Sequence, residues 1–440
     1  MAGGWLVACQ HCATLHARTP LEPGAMATCR RCGYPLYRQS TLPLDGWIAL
    51  VLTALAVFTI ANIFPIIELD IAGMTVRASL PNALWLTWQQ DHKLLSIMTG
   101  MFAFWLPLTQ LLVTLWALLA IRSRRLPADF RYGMRLLHHT LPWSMVPVLM
   151  LAIMVAMVKF AGLARVSLEP AMWAFAVLTF LLTGLSRLTA HRLWQYAEDA
   201  GLVATATPET IAHEGRFVAS CEACSLVQGV SQDGIAQSCY RCGARLHLRK
   251  PNPTSRVWAL VIAASILYVP ANLLPVMRVR TLTSDTMHTI LGGVIELWRL
   301  GSWDLAVIVF VASVVVPLTK LLALAILMLG GRWRGALVQR QRTRLYELIE
   351  FIGQWSMLDV FVVILLTAIA NFPGISQVIA GPGAASFGMV VILTMLATMS
   401  YDPRRGWDRR PGARSNTIQS DATAAAAIDT YSEASYKRQV

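Results

Sequence analysis

The sequence predicts an all-α polytopic membrane protein, built as a tandem duplication of a four-helix transmembrane unit, with a small cytoplasmic zinc ribbon before each unit. Three observations predict this fold: several apolar runs longer than 18 residues, two compact groups of cysteines, and short sequence words that return at a near-constant offset. Of the 440 residues, 56% are hydrophobic and 14% are charged, whereas about 25% are charged in soluble domains. The composition therefore excludes an ordinary soluble globular protein.

The cysteines form two groups outside the apolar runs, here called module 1 (residues 1–40) and module 2 (residues 201–250). Each module contains two C-x-x-C pairs, separated by sixteen residues in module 1 and fourteen in module 2. The eight residues are Cys9, Cys12, Cys29, Cys32, Cys221, Cys224, Cys239 and Cys242. Two such pairs suit four thiolates around one zinc ion, and Gly33 and Gly243 permit a left-handed backbone in the turn.

Four-sulfur ligation leaves no open coordination position, so the sequence predicts two structural zinc sites and no catalytic metal. A thiol–disulfide redox pair and an iron centre with the same four sulfurs are the alternatives. His11 and His16 lie close to the first cysteines, but module 2 has no equivalent histidine. We therefore predict that neither histidine is a metal ligand.

Four apolar runs follow each module. In unit 1 (residues 41–200) they cover about 47–67, 94–121, 141–160 and 172–188, and in unit 2 (residues 251–401) about 257–277, 305–329, 355–372 and 384–399. An even number of spans orients both units alike, so the repeat is parallel. Arginine-rich loops after the second run of each unit place the modules and both termini in the cytoplasm, and they account for the net charge of +13 without nucleic acid.

Residues 402–440 are polar and show no apolar period, so they are predicted to form a disordered cytoplasmic tail. No cleavable signal peptide is visible. No phosphate-binding loop, zinc-protease motif or nucleophile elbow occurs either, and the sequence does not predict an enzyme.

Three words establish the duplication. A-N-I-F-P at 61–65 returns 210 positions later as A-N-L-L-P, P-L-T-Q at 107–110 returns at the same offset as P-L-T-K, and W-S-M at 143–145 returns 212 positions later. Asn62 and Asn272 precede prolines at the ends of runs, and we predict that they cap or kink those helices. The alternation of I-E-L-D-I at 67–71 predicts a small β element outside the membrane.

Lys320 lies deep in an apolar run of unit 2. A lysine near the centre of a bilayer costs about 3 kcal/mol on insertion scales, and a partner must offset that cost. The best candidate is Asp359 in the next run, and we predict that the two side chains form the working pair of the protein. Ser313 lies seven residues before Lys320, and Ser356 lies three residues before Asp359, so each serine shares a helical face with its charged neighbour.

Thr394 and Thr398 in the last run extend these residues into a polar track, which in lipid is typical of a proton or ion pathway. Three alternatives remain. The pair can be a structural clamp between helices, the hydroxyls can be ordinary helix–helix contacts, and Lys320 can extend its stem to the interface about 13 Å away. Unit 1 has Gln110 in place of the lysine and Pro147 in place of the aspartate, so the predicted chemistry belongs to unit 2.

Paired zinc ribbons before four-span units, with A-N-L-L-P, V-P-L-T-K and W-S-M-L-D in the second half, resemble the paraquat-inducible protein A family over about residues 1–400. The resemblance implies a bacterial inner-membrane protein with tetraspanin-like four-helix units, phospholipid as cargo and a periplasmic MCE-domain partner that forms a tunnel toward the outer membrane. It also implies a polar transport network, for which proton coupling is a proposal, at Ser313, Lys320, Ser356, Asp359 and Thr394.

Two functions follow as hypotheses. The first is a lipid transporter of the inner membrane in which Lys320 and Asp359 change protonation. The second is a membrane scaffold that does not transport, but seats the MCE partner and senses redox state or zinc through the cysteine modules.

Overall fold

A computed structural model describes residues 6–71, 74–160, 165–205, 217–230, 237–281, 285–299, 301, 303–329, 336–369 and 376–407. Within these ranges, seven helical segments are long and apolar enough to cross a membrane. An eighth results if the last two helices of unit 1, which are bent by 55° relative to each other, count as one span. The prediction of a mostly helical membrane protein with two similar units is confirmed.

The helices of unit 1 follow the predicted runs, with shorter helices between them. They are α1 (Leu44–Ile63), α2 (Leu80–Gln89), α3 (Lys93–Gly100), α4 (Leu106–Arg122), α5 (Phe130–Thr140), α6 (Val146–Phe160), α7 (Pro170–Leu185) and α8 (Ala190–Asp199). A π-helical turn, Met101–Trp105, makes α3 and α4 one continuous span. Residues 130–157, which include α5 and most of α6, also form one candidate span, whereas α7, with 16 residues, is short for a span of its own.

Unit 2 repeats this order. Its helices are α9 (Pro253–Leu273), α10 (Ile290–Arg299), α11 (Trp303–Phe310), α12 (Val316–Leu329), α13 (Ala336–Gly353), α14 (Leu358–Ile369) and α15 (Pro382–Ser400). A second π-helical turn, Val311–Val315, joins α11 to α12. Both π turns end two residues before the proline of the P-L-T word, because a proline inside a helix offers no N–H to the preceding turn and its ring crowds the carbonyl four residues earlier.

A three-stranded antiparallel sheet covers one end of each unit. In unit 1 the order is β6–β5–β7, from β5 (Ile67–Ile71), β6 (Met74–Ala78) and β7 (Arg165–Leu168). In unit 2 it is β13–β12–β14, from β12 (Met277–Thr281), β13 (Asp285–His288) and β14 (Ser376–Ala380). The β element predicted from residues 67–71 is therefore one strand of a larger sheet, and the equivalent sheet in unit 2 was not predicted. We call this end of the molecule the sheet face.

The A-N-x-x-P word connects the first span of each unit to its sheet and to its last span. The amide groups of Asn62 and Asn272 each donate to a carbonyl four residues earlier, at 2.8 Å, so they bind the last turn of α1 and α9 as predicted. The Pro275 carbonyl then accepts a hydrogen bond of 3.0 Å from the Gly383 N–H at the start of α15. The residues of this motif thus connect the end of the first span to the start of the last span, and we call this contact the A-N-x-x-P joint.

The two cysteine modules lie together at the opposite end, here called the module face. Module 1 contains the hairpins β1–β2 (Leu6–Ala8, Leu15–Ala17) and β3–β4 (Met26–Thr28, Pro35–Arg38), and module 2 contains β8–β9 (Phe217–Ser220, Val227–Val230) and β10–β11 (Gln237–Ser238, Arg245–Leu246). The Gln10 amide donates to the Ser225 hydroxyl at 3.3 Å and links the modules directly.

Module 1 contacts both units, and module 2 contacts unit 1. In module 1, Nδ1 of His11 lies 3.3 Å from Oε1 of Glu347 in α13 of unit 2. In module 2, Arg241 forms an ion pair of 2.5 Å with Glu198 in α8 of unit 1. Arg18 of module 1 also reaches Glu198, at 3.4 Å, so this carboxylate joins both modules to unit 1.

Two predictions at the module face were wrong in part. The basic segments predicted as loops after the second spans are largely helical, since they include α5 and α13. Residues 402–407, predicted as the beginning of a disordered tail, are ordered, because Pro403–Trp407 forms a 3₁₀ turn. Asp402 accepts hydrogen bonds from the Lys250 N–H at 3.1 Å and from the Arg404 side chain at 3.0 Å, and Trp407 is buried beside the cysteines of module 1. The remainder of the predicted tail, 408–440, lies outside the described residues.

Candidate functional site

Each module brings its four cysteine sulfurs into one cluster. In both clusters all four sulfurs lie within 4.8 Å of one another, and four pairs are 3.5 Å apart: Cys9–Cys32, Cys12–Cys29, Cys221–Cys242 and Cys224–Cys239. Tetrahedral zinc at about 2.3 Å from each sulfur requires sulfur–sulfur distances of about 3.8 Å. Both clusters can hold a metal ion, and the predicted ligand sets are the ones assembled.

The turns around the cysteines explain the glycines of the motif. The N–H groups of Gly33 and Gly243 each donate to the carbonyl of the first cysteine of the pair at 2.8 Å, with φ of 83° and 68°. The first pair of each module makes the same turn with a residue other than glycine, Ala13 in module 1 and Ser225 in module 2, at φ of 57° and 58°. Glycine marks only one of the two turns in each module because small residues tolerate the left-handed region at a modest cost.

The histidines near module 1 are not ligands in this arrangement, but neither is an isolated surface residue. Nε2 of His16 lies 3.3 Å from the Cys29 sulfur. His11 is buried, and it stacks on Tyr34 with ring centroids 3.7 Å apart. Burial and the nearby Arg404 guanidinium lower the pKa of His11 to about 4, so the ring is neutral at physiological pH. His11 therefore acts as a packing contact between module 1 and α13.

We expect the purified chain to contain two metal ions, identified as zinc by elemental analysis. Replacing Cys29 with serine should leave one ion, and so should replacing Cys239, because each cluster loses one of four ligands. Iron in place of zinc would favour the four-sulfur iron alternative. Retention of two ions in both variants would contradict the assignment of these cysteines as ligands.

Lys320 is 2% exposed and its amine has no hydrogen-bond partner among the described residues. The amine lies beside Gly353, the last residue of α13, where an added Cβ would be 3.0 Å from Nζ. The same Cβ position is 3.0 Å from the Met395 sulfur of α15. The absence of a side chain at Gly353 therefore makes room for the lysine head between α13 and α15.

Asp359 occupies a different place. Its carboxylate lines a cavity of about 70 Å³ near the sheet face, together with Ser313 of the π turn and His288 of β13. One carboxylate oxygen, Oδ2, is buried and has no hydrogen-bond partner among the described residues. The Ser313 hydroxyl donates to the Val309 carbonyl at 2.6 Å, so only its oxygen lone pairs are available to another group.

The predicted ion pair between Lys320 and Asp359 is not formed in this structure, since neither Nζ nor Oδ2 has a partner among the residues that the structure describes. The reason is that the two residues lie at different positions along the helix axes. Lys320 lies at the level of Gly353, which precedes Asp359 by six residues, or about 9 Å along a helix axis. Two side chains on facing helices meet only if they lie at the same position along the helix axes. This position, here called the level of a residue, cannot be read directly from the sequence.

The remaining predicted residues line the interior of unit 2. Ser356 is 2% exposed and its hydroxyl has no partner among the described residues. Thr394 and Thr398 are buried in α15 and donate to carbonyls of their own helix, both at 2.9 Å. The structure thus brings Ser313 and Asp359 to one cavity. Lys320 lies outside that cavity, beside Gly353.

Sequence reasoning missed His288, which lines the same cavity as Asp359, and Gly353, which lies beside the Lys320 amine. The cavity contains His288 because the hairpin of β12 and β13 folds back over the end of unit 2, which no local pattern indicates. In unit 1, Gln110 is 5% exposed and its Oε1 also has no partner among the described residues, so a weaker polar site persists where unit 2 has the lysine.

The two similar units match a known family twice. A model of paraquat-inducible protein A matches residues 44–198 and 254–410, which are the two helical units, and leaves the modules outside the matched segments. The chain belongs to the paraquat-inducible protein A family. The two matched segments confirm the tandem duplication predicted from the sequence.

The similarity to other members of the paraquat-inducible protein A family extends over nearly the whole chain. The intermembrane transport protein PqiA of Escherichia coli is 29% identical over 92% of this chain and 96% of its own length. The lipophilic envelope-spanning tunnel protein A of Escherichia coli is also 29% identical, over 91% of this chain and 90% of its own. A probable intermembrane transport protein of Haemophilus influenzae is 27% identical. No solved structure was found to match the chain.

Proposed function

We propose that the protein is the inner-membrane component of a lipid trafficking system, in which it moves lipids between the inner membrane and a periplasmic MCE-domain tunnel. Relatives that span the same length are named as intermembrane transport and envelope-spanning tunnel proteins. The observation that carries the proposal is that the Lys320 amine and one Asp359 carboxylate oxygen, both inside one four-helix unit, have no hydrogen-bond partner in the described part of the chain. Ionisable groups buried within membrane spans are costly and usually serve a pathway.

In this proposal the module face is cytoplasmic and the sheet face is periplasmic. The orientation is supported by Arg122, Arg124 and Arg125 at the module-face end of α4 and by the arginines of α13. The cavity of Asp359 then opens toward the periplasm, where an MCE-domain partner would collect lipid. Lys320 lies closer to the cytoplasm, so the two groups form successive positions along one path.

Proton movement between these positions would supply the coupling. A proton that enters from the periplasm reaches Asp359 first, through the cavity shared with His288 and Ser313. A shift of α13 and α14 relative to α12 by about 9 Å, or about 1.7 turns, would bring the carboxylate to the level of the Lys320 amine. One elementary charge moved through 100 mV contributes about 2.3 kcal/mol, which is enough to bias such a shift.

Complementation of a deletion strain tests the proposal. We expect Lys320→Ala to lose resistance to detergent, while a membrane immunoblot shows a normal amount of protein. Gln110→Ala, which removes the corresponding buried polar side chain of unit 1, is the matched control and should retain resistance.

The scaffold hypothesis predicts the opposite pattern. If Lys320→Ala restores full resistance while Cys29→Ser abolishes it, the module is essential and the buried amine is not, and the transport proposal fails. Loss of resistance with both Lys320→Ala and Gln110→Ala would also contradict it, because general packing of the spans would then be responsible.

A further inference from the structure

The short turn that follows α15, residues 402–407, lies between the two cysteine modules and unit 2. We call it the clasp turn. Asp402, Arg404 and Trp407 are buried in it, although the segment is polar and rich in arginine. Charged side chains become buried only where specific partners hold them, so the partners of this turn indicate what it does.

Trp407 connects the clasp turn to module 1 and to unit 2. Its ring packs in one cluster with three buried cysteines of module 1, which are Cys9, Cys12 and Cys29. Arg31, inside the second C-x-x-C pair, donates to the Trp407 carbonyl at 2.8 Å, and its guanidinium lies 5.2 Å from the ring centroid. The indole N–H donates to the Thr343 hydroxyl of α13 at 3.3 Å. The ring is therefore fixed between the sulfur cluster and a helix of unit 2.

Arg404 connects the same turn to module 2. It forms an ion pair with Glu222, which lies inside the first C-x-x-C pair of that module. Its Nε is 3.0 Å from Oδ1 of Asp402. The other oxygen of Asp402, Oδ2, accepts a hydrogen bond of 3.1 Å from the Lys250 N–H at the end of the module. The clasp turn thus holds module 2 at a residue between two of its cysteines and at its last residue.

The side chains that hold the clasp turn, Arg31 and Glu222, each lie between the two cysteines of one pair. A C-x-x-C turn keeps its shape when both thiolates bind one metal ion, because ligand binding and local folding are linked. Arg31 and Glu222 are therefore in place for the clasp turn when their modules are ligated. By the same linkage, a docked turn stabilises the ligated form of each module, so the two sites are coupled.

The modules also contact each other without the clasp turn. The Gln10 amide donates to the Ser225 hydroxyl at 3.3 Å, and Ala8 packs with Val227 in a small buried cluster. This contact is a second route by which one module can affect the other. Its hydrogen bond joins two neutral groups, whereas the clasp turn uses the ion pair of a buried guanidinium and a tryptophan ring. The clasp turn is therefore the stronger route.

We propose that the clasp turn couples metal binding in the two modules, so that they gain and lose their ions together. When the cysteines of module 2 are ligated, Glu222 holds Arg404 and the turn is docked. The docked turn keeps the Trp407 ring against the sulfurs of module 1, where an apolar ring limits the access of water and of competing ligands. The modules lie at the opposite end of the molecule from Asp359, so the coupling does not depend on the proposed transport function.

Release of metal from the purified full-length protein to the chromogenic chelator pyridylazoresorcinol tests the proposal. Cys239→Ser retains only the ion of module 1, and that ion should leave about tenfold faster than the ions of the unchanged protein. Arg404→Gln keeps both clusters but breaks the link to Glu222, so its ions should also leave at the faster rate. Combining Arg404→Gln with Cys239→Ser should then cause no further increase.

Three further variants separate the clasp turn from other causes. Arg405→Gln removes an exposed arginine of the same turn, whose side chain donates to Thr254 of α9 at 2.9 Å, and it should release metal as slowly as the unchanged protein. Gln10→Ala removes the direct hydrogen bond between the modules and should leave the coupling intact. Trp407→Phe should retain slow release, since a ring stays against the sulfurs, whereas Trp407→Ala should not.

Equal release rates of Cys239→Ser and the unchanged protein would overturn the proposal, because the modules would then be independent. An acceleration by Cys239→Ser that persists in Arg404→Gln, or that Gln10→Ala abolishes, would also overturn it, since the coupling would then follow another route. Equal acceleration by Arg404→Gln and Arg405→Gln would contradict the role of the ion pair with Glu222, because general loosening of the turn would then be responsible.

Discussion

Replacing Asp359 with asparagine should abolish detergent resistance in the complemented strain and leave the amount of protein in the membrane unchanged. Asparagine has nearly the same shape as aspartate and preserves the packing of the cavity with Ser313 and His288. It carries no titratable proton. If a proton on Asp359 drives the cycle, the variant loses about 2.3 kcal/mol per 100 mV of coupling, which corresponds to about a 40-fold change in the biased equilibrium.

Ser313→Ala and a doubly apolar variant distinguish transport from a structural clamp. The serine borders the same cavity but carries no charge, so its loss should weaken resistance only in part. Replacing both Lys320 and Asp359 with leucine removes both buried charges, and the loss of a pure clamp is often neutral or stabilising when the replacement is apolar. Full resistance in this double variant would contradict the transport role, whereas we expect it to be as inactive as Asp359→Asn.

The cysteine clusters were predictable because their geometry is local. Each C-x-x-C pair is one tight turn, and two turns at a distance of fourteen or sixteen residues meet wherever the hairpins between them close. The word A-N-x-x-P was equally informative, since the asparagine binds its own helix four residues back. In both cases the interactions that decide the structure lie within a few residues of one another.

The relation between Lys320 and Asp359 was not predictable, because it depends on how far two helices slide along each other. Apolar periodicity specifies which face of a helix is buried, and Lys320 and Ser356 are indeed both 2% exposed. It does not specify the level at which a residue lies. The level is set partly by the local π turn before Pro317, but also by the sheet and by the contact of Gly353 with the lysine head, which involve residues distant in the sequence.

The contacts of module 1 with unit 2 and the ordered turn after α15 were missed for the same reason. Trp407 lies in a polar, arginine-rich segment that has no apolar period, yet its ring packs beside cysteines almost 400 positions earlier. A single aromatic residue in such a segment is a weak signal. The position of Trp407 is determined by contacts with residues distant in the sequence, such as the Arg31 side chain, which donates to the Trp407 carbonyl at 2.8 Å.

Replacing Gly381 with alanine should prevent unit 2 from folding. Gly381 precedes α15, and its N–H donates to the Val276 carbonyl at 2.7 Å. A Cβ on this residue would lie 2.1 Å from the Pro275 carbonyl oxygen, which is backbone and cannot rotate away. Relief of the clash requires α15 to separate from the end of α9, the tightest joint of the unit. We expect a loss of stability of at least about 3 kcal/mol and little protein in the membrane by immunoblot.

Gly184→Ala in α7 is the control, because no atom lies within 4 Å of the Cβ that it adds. In a helix that substitution should stabilise the protein by about 0.5–1 kcal/mol, since alanine has less backbone freedom to lose than glycine. The contrast separates a general intolerance of the chain to replacement of a glycine from the specific contact of residue 381 with Pro275. Normal accumulation and normal melting of Gly381→Ala would mean that α9 and α15 do not approach as closely as the A-N-L-L-P joint requires.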